Sequence, residues 1–127
     1  MSAGDFKAGS NLPGSILGQG QLGTGATNLL TTSPVASNTY VKIAKVILCN
    51  TSASAVTVDY GAIKAGGTLV DAAKSAKTWS LGAAGTSTAT LDVTEWAGLF
   101  LGPGDFLAAL ASTGTVVTYT VSGAVSS

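Results

Sequence analysis

From residue 26 onward the chain is written in short runs of β-branched and aromatic residues, each closed by a turn signal. No segment holds the 3.6-residue period of an amphipathic helix. That rhythm leaves little room for anything but an all-β fold. AVTVDYG (55–61) sets Val56, Val58 and Tyr60 on one face against Ala55, Thr57 and Asp59. STATLDVT (87–94), DFLAALAS (105–112) and TVVTYTVSGAV (115–125) alternate in the same way. TYVKIAKVILCN (39–50) is a long strand whose alternation slips, because Ile43, Val46, Ile47 and Leu48 put bulk on both faces. A β-bulge near Lys45 restores its register; otherwise a neighbour buries its outer face.

The remaining strands are shorter. ATNLLTT (26–32) comes first, and TSPVASN (32–38) is a loop around Pro34. TSAS (51–54) is a tight turn that makes 39–61 a hairpin. GTLV (67–70), KTWSL (77–81) and EWAGLFL (95–101) read as strands, and VDAAKSAK (70–77) as a loop with some helical character. GPGD (102–105) is a turn. Seven to nine short strands predict a two-sheet antiparallel β-sandwich of Ig-like or jelly-roll type over residues 26–127.

Residues 1–25 differ. They are rich in Gly, Ser and Asn, without periodicity, and read as an extended N-terminal arm. Phe6, Leu12, Ile16 and Leu17 are its candidate anchors on a partner surface. Within the arm, GQGQLG (18–23) spells the G-x-G-x-x-G of a dinucleotide-binding turn. That motif needs a strand before it and a helix after it, so that helix amides meet the pyrophosphate. SNLPGSI does not read as a strand, TGATNLLTT does not read as a helix, and no acidic residue follows about 20 positions on to hold a ribose. These glycines are expected to let the backbone turn or run close to another surface.

Composition narrows the chemistry. The 127 residues carry six Lys, six acids, no His and no Arg, and charged residues make up 9% where roughly 25% is usual. A nucleic-acid site needs a basic patch, which six balanced Lys do not make. Histidine catalysis and His ligation are excluded, and a lone Cys49 makes neither a disulfide nor a Cys-cluster metal site. There is no run of 18 apolar residues to span a membrane and no apolar signal core at the N-terminus. So apolar and uncharged a surface belongs either to a protein held in an assembly or to a Thr-rich β-surface stable alone.

The single-residue candidates carry bland readings. Asn50-Thr51-Ser52 is a sequon that reads as a hairpin turn in which Asn and Ser bond their own backbone. Cys49 reads as a buried small hydrophobe with no base to activate it. Asp92 and Glu95 read as solvated charges and not as a carboxylate pair. Trp79 and Trp96 read as core or interface residues, with a sugar-stacking platform as the competing role. No catalytic, cofactor or metal residue is expected.

The segments ILGQGQLGTGATNLLTT, VKIAKVILCNTSASAVTV and LFLGPGDFLAALASTGTVVTYTVSG together resemble a set of small virion structural proteins of tailed bacteriophages. The resemblance covers most of residues 16–123, and residues 61–85 are compact where longer relatives carry an insertion. It implies a β-sandwich used as a head decoration protein or as a minor tail or fibre component. The decoration reading implies that the major capsid protein or other virion subunits are partners. It also implies a homo-oligomer, such as a trimer, and a place on the virion head after synthesis in the host cytoplasm. The alternative from another class is a carbohydrate-binding module, which requires Trp79 and Trp96 exposed on one surface.

Overall fold

The computed structural model describes residues 15–31 and 35–126. Nine strands follow in chain order: β1 (Ser15–Gln21), β2 (Thr27–Asn28), β3 (Tyr40–Asn50), β4 (Val56–Ile63), β5 (Ala76–Leu81), β6 (Thr90–Asp92), β7 (Phe100–Leu101), β8 (Phe106–Ala111) and β9 (Val117–Ser126). Among the described residues, the helical turns are two 3-10 segments, Asp71–Ala73 and Thr94–Trp96. The first sheet has the order β1-β9-β3-β6, with β7 also on β3, and the second has β2-β8-β4-β5. Every pairing is antiparallel. With the two-residue β7 set aside, first strand pairs with last, second with penultimate, third with sixth and fourth with fifth. That is a jelly roll, the second of the two sandwich types expected.

The core lies between the sheets. Val46, Leu48, Val117 and Val121 from the first sheet face Val58, Leu107, Ala109 and Ala111 from the second, all buried. Each buried Val or Leu contributes about 1.5–3 kcal/mol relative to exposure. The slip in β3 is a bulge at the place expected. The β3–β9 register shifts between Ile43 and Lys45, so Val41 and Ile43 point inward before it and Val46 and Leu48 after it. One extra residue thereby keeps all four apolar side chains on the core face.

The arm boundary at residue 25 is corrected. Ser15–Gln21 is the edge strand of the first sheet, paired with β9 from Ser15↔Gly123 to Gln21↔Thr118. Leu17 packs against the core and Leu22 is fully buried. The glycines hide this strand from the sequence, because they carry no alternating side chains. They also make it fit. A Cβ at Gly18 would fall on the Leu29 carbonyl oxygen, and one at Gly20 would press on the Tyr119 ring at 3.0–3.2 Å. Phe6 and Leu12 lie outside the described residues, as does the rest of 1–14.

Three further strands differ from expectation. Residues 67–70 form a loop leading into the Asp71–Ala73 turn. Of 95–101 only Phe100–Leu101 is a strand, because Thr94–Trp96 coils and Gly98 turns with φ +83. Of the described residues 26–31, Thr27–Asn28 pairs as a strand, on β8.

Candidate binding face

The two sheets treat their outer faces differently. The second is roofed over β4 by the chain itself. Residues 64–75 fold back over β4, placing the Ala73 carbonyl and a Leu69 methyl directly against Gly61, while the Ser75 amide donates to the Tyr60 carbonyl at 2.8 Å. An ion pair fastens this roof. Asp59 points outward from β4 yet is buried, and accepts from Lys74 Nζ at 2.7 Å and from the Thr78 amide at 2.8 Å. Burial pushes the Asp59 carboxyl up, but the Lys74 and Thr78 hydrogen bonds outweigh it and hold the group below the ordinary carboxylate range. Asp71 binds Lys74 at 3.2 Å and Lys77 at 2.9 Å. These groups are saturated by one another and hold structure.

The first sheet has no such cover among the described residues. Residues paired across antiparallel strands share a face, so the outward rows follow from the register. Tyr40 lies beside Ser126; Phe100, Lys42 and Ala124 form the next row; Ile16, Ser122 and Lys45 the next. Beyond them come Gln19, Thr120, Ile47 and Asp92, then Gln21, Thr118, Cys49 and Thr90. One end of this face is apolar and the other is small and polar. Ile16, Tyr40 and Phe100 are 63%, 56% and 67% exposed, values that belong to side chains awaiting a partner or wetted at a cost. Its charges are Lys42, Lys45 and Asp92. Lys45 meets Asp92 at 3.7 Å with both exposed, and Lys42 Nζ sits 5.4 Å from the Phe100 ring centre.

The residues singled out in the sequence are dispersed. Trp96 is buried and meets Tyr60 edge-on, ring centres 5.1 Å apart at 75°. Trp79 is half exposed on β5. The two indoles therefore cannot form one platform, which removes the structural requirement of the carbohydrate-binding alternative. Glu95 accepts from the Tyr60 hydroxyl at 3.0 Å, and burial together with Glu95 pushes that phenol up to about 12. Asp92 belongs to Lys45, so Asp92 and Glu95 make no pair with each other.

Cys49 is half-buried on the outer face, not in the core, and its sulfur accepts from Thr90 Oγ1 at 3.7 Å. Asn50 is fully buried: its amide donates to the Ser54 and Gly82 carbonyls at 2.8 and 2.9 Å, and its oxygen accepts from the Ser52 amide and hydroxyl. It is the turn residue expected, and in the folded chain its nitrogen is closed to a glycan. Of the four anchors, Ile16 is exposed on the apolar end of the bare face and Leu17 is half-buried beneath it. Tyr40 and Phe100 were not singled out by the sequence, although Tyr40-Val-Lys42 places an aromatic on the polar parity of its strand.

Among the described residues, no three His, Cys, Asp or Glu side chains come together to hold a metal, and no helix is long and apolar enough to cross a membrane. No family model, curated protein or solved structure matches the chain.

Proposed function

We propose that the chain is a virion structural protein of a tailed bacteriophage, a capsid decoration protein that binds the outside of the assembled shell through the bare face of its first sheet. The observation that carries this reading is the asymmetry of the sandwich. One outer face is covered over β4 by the protein's own loop, while the other presents Ile16, Tyr40 and Phe100 to solvent with few charges. The face is of the order an interface needs. The 7, 10, 11, 3 and 2 residues of β1, β9, β3, β6 and β7, at about 3.3 Å along and about 4.8 Å across the strands, give roughly 500 Å². A stable interface takes about 800 Å² per partner, so the face supplies the larger part of one.

Two further points support it. The motif segments resemble small phage virion proteins over most of residues 16–123, and jelly-roll sandwiches recur in viral shells, a fold-level analogy. The mechanism is physical. Each copy, within a homo-oligomer, buries the apolar end of the face across neighbouring shell subunits. It thereby bridges contacts that internal pressure pulls apart.

The experiment uses heads of the encoding phage assembled without this protein, pelleted with increasing amounts of it. Tyr40→Ser with Phe100→Ser removes two large apolar contacts, each about 1.5–3 kcal/mol when buried. Affinity falls by more than about tenfold, while Trp79→Ser and Val70→Ser, which lie off this face, bind as wild type. Equal binding by the Tyr40/Phe100 variant, or no binding by the wild type, overturns the reading.

A further inference from the structure

The second sheet ends in a lightly seated strand. Across residues 64–80 none is buried, whereas Ile63 and Leu81 on either side are. A stretch with so little apolar burial sits at the low end of local stability. One carboxylate seats it. The β4–β5 register sets Val58 opposite Trp79 and Tyr60 opposite Ala76, so Asp59 alone faces two residues, Lys77 and Thr78. Thr78 closes this bulge at φ +51, a left-handed conformation that a β-branched residue resists and that Gly ordinarily takes. Asp59 Oδ1 holds the Thr78 amide there at 2.8 Å, while Asp59 Oδ2 holds Lys74 Nζ at 2.7 Å. Asp71 in turn bridges Lys74 and Lys77, so the roof and β5 are tied to each other as well as to Asp59.

We infer that residues 68–80 form a strap that lifts off β4 as one unit, with Asp59 as its latch, while the rest of the sandwich stays folded. The ends of the unit are marked. Before it, Asp105 Oδ1 holds the Ala65 amide at 3.0 Å, and Gly66, at φ +79, and Gly67 supply the turn about which the chain swings. After it, Leu81 is buried and paired with Val56. Within it, the Val70, Ala73 and Lys74 amides donate to carbonyls of the strap itself. Lifting relieves the strain at Thr78, which works against the latch. It also frees the backbone edge of β4 beside Val58 and Tyr60, the kind of edge on which another strand pairs. The strap thus guards a strand-pairing site on the second sheet, apart from the bare face of the first.

Native-state hydrogen exchange, read residue by residue in the free protein, tests it. The strap reporters are the Ser75 amide, on the Tyr60 carbonyl at 2.8 Å, and the Thr78 amide on Asp59. The core reporters are the Ile43 and Val93 amides, on the Leu99 and Val46 carbonyls. Ser75 and Thr78 are expected to share one protection factor within about fivefold, at least about tenfold below the core pair. Low guanidinium lowers core protection while leaving the strap's nearly unchanged, because lifting exposes little surface. Thr78→Gly removes the strain from the closed state, so it slows exchange at Ser75, three residues away, by about fivefold or more. Ser75 and Thr78 values further apart than that, strap protection that matches the core's in size or in guanidinium slope, or a Ser75 rate that Thr78→Gly leaves unmoved would each overturn the inference.

Discussion

Asn50→Ala removes one buried side chain and four hydrogen bonds at once. The amide nitrogen serves the Ser54 and Gly82 carbonyls, and the amide oxygen serves the Ser52 amide and hydroxyl. The losses are unequal. Ser54 is exposed, and the Ser52 hydroxyl, whose single proton Asn50 Oδ1 no longer takes, lies 2.8 Å from its carbonyl, so water and that hydroxyl replace the lost donor. The Gly82 carbonyl and the Ser52 amide are less accessible and lose their partner. Two stranded groups at about 1–3 kcal/mol each predict a loss of about 2–6 kcal/mol. For a chain of this length that is roughly 4 °C of Tm per kcal/mol, or a fall of about 8–24 °C.

Asn50→Asp is worse at pH 7. It points a carboxylate oxygen at two carbonyls in a site with no cation, so its folded pKa is raised. A raised carboxyl pKa means stability is lost as pH rises, so this variant gains stability from pH 7 toward pH 5 where the wild type does not. Guanidinium unfolding of the three proteins at both pH values is the assay. A cost under about 0.5 kcal/mol for Asn50→Ala, the size of an ordinary surface change, would refute the reasoning. So would a pH-independent Asn50→Asp.

Gly18→Ala drives a Cβ into the Leu29 carbonyl, a backbone obstacle that cannot rotate away. It costs about 1–3 kcal/mol or more, whereas Gly25→Ala, with open space around it, changes stability by less than about 0.5 kcal/mol; thermal melts of the pair decide. The depressed Asp59 pKa contributes stability that is present above the ordinary carboxylate pKa, about 3.9, and lost as pH falls through the folded value. Stability measured from pH 5 to pH 2 therefore falls less steeply in Asp59→Asn than in the wild type, and identical slopes would show that the roof ion pair is not coupled to folding. Cys49, half-buried under Thr90 on the bare face, reacts with a small thiol reagent in the native state more slowly than in guanidinium; a rate equal to the unfolded one would place the sulfur in open solvent.

Much of the sandwich was legible because side chains alternate where strands are half-buried. In β3 even the defect was legible: two inward residues, a slip at Lys45, and two inward residues again. β1 was not, because Gly18 and Gly20 erase the alternation that marks a strand. The same absence of side chains lets the strand lie on Leu29 and Tyr119. The two Trp residues were equally ambiguous in sequence, since nothing local tells that Trp96 coils under Tyr60 while Trp79 stays on an edge. The candidate face was the least legible part. Strand parity gave each sheet an outer face, but which one is covered depends on Lys74 reaching Asp59 from fifteen residues away, a tertiary contact with no local signature.

The central claim is that the first sheet, and not the roofed second sheet, meets the shell. A reconstruction of heads decorated with this protein tests it by the orientation of the sandwich alone. The account predicts density in which β1, β9 and β3 lie against the shell, with Tyr40 and Phe100 buried there and residues 64–75 turned to solvent. Heads that gain no density, or a sandwich seated on residues 64–75 with Phe100 facing outward, would contradict it.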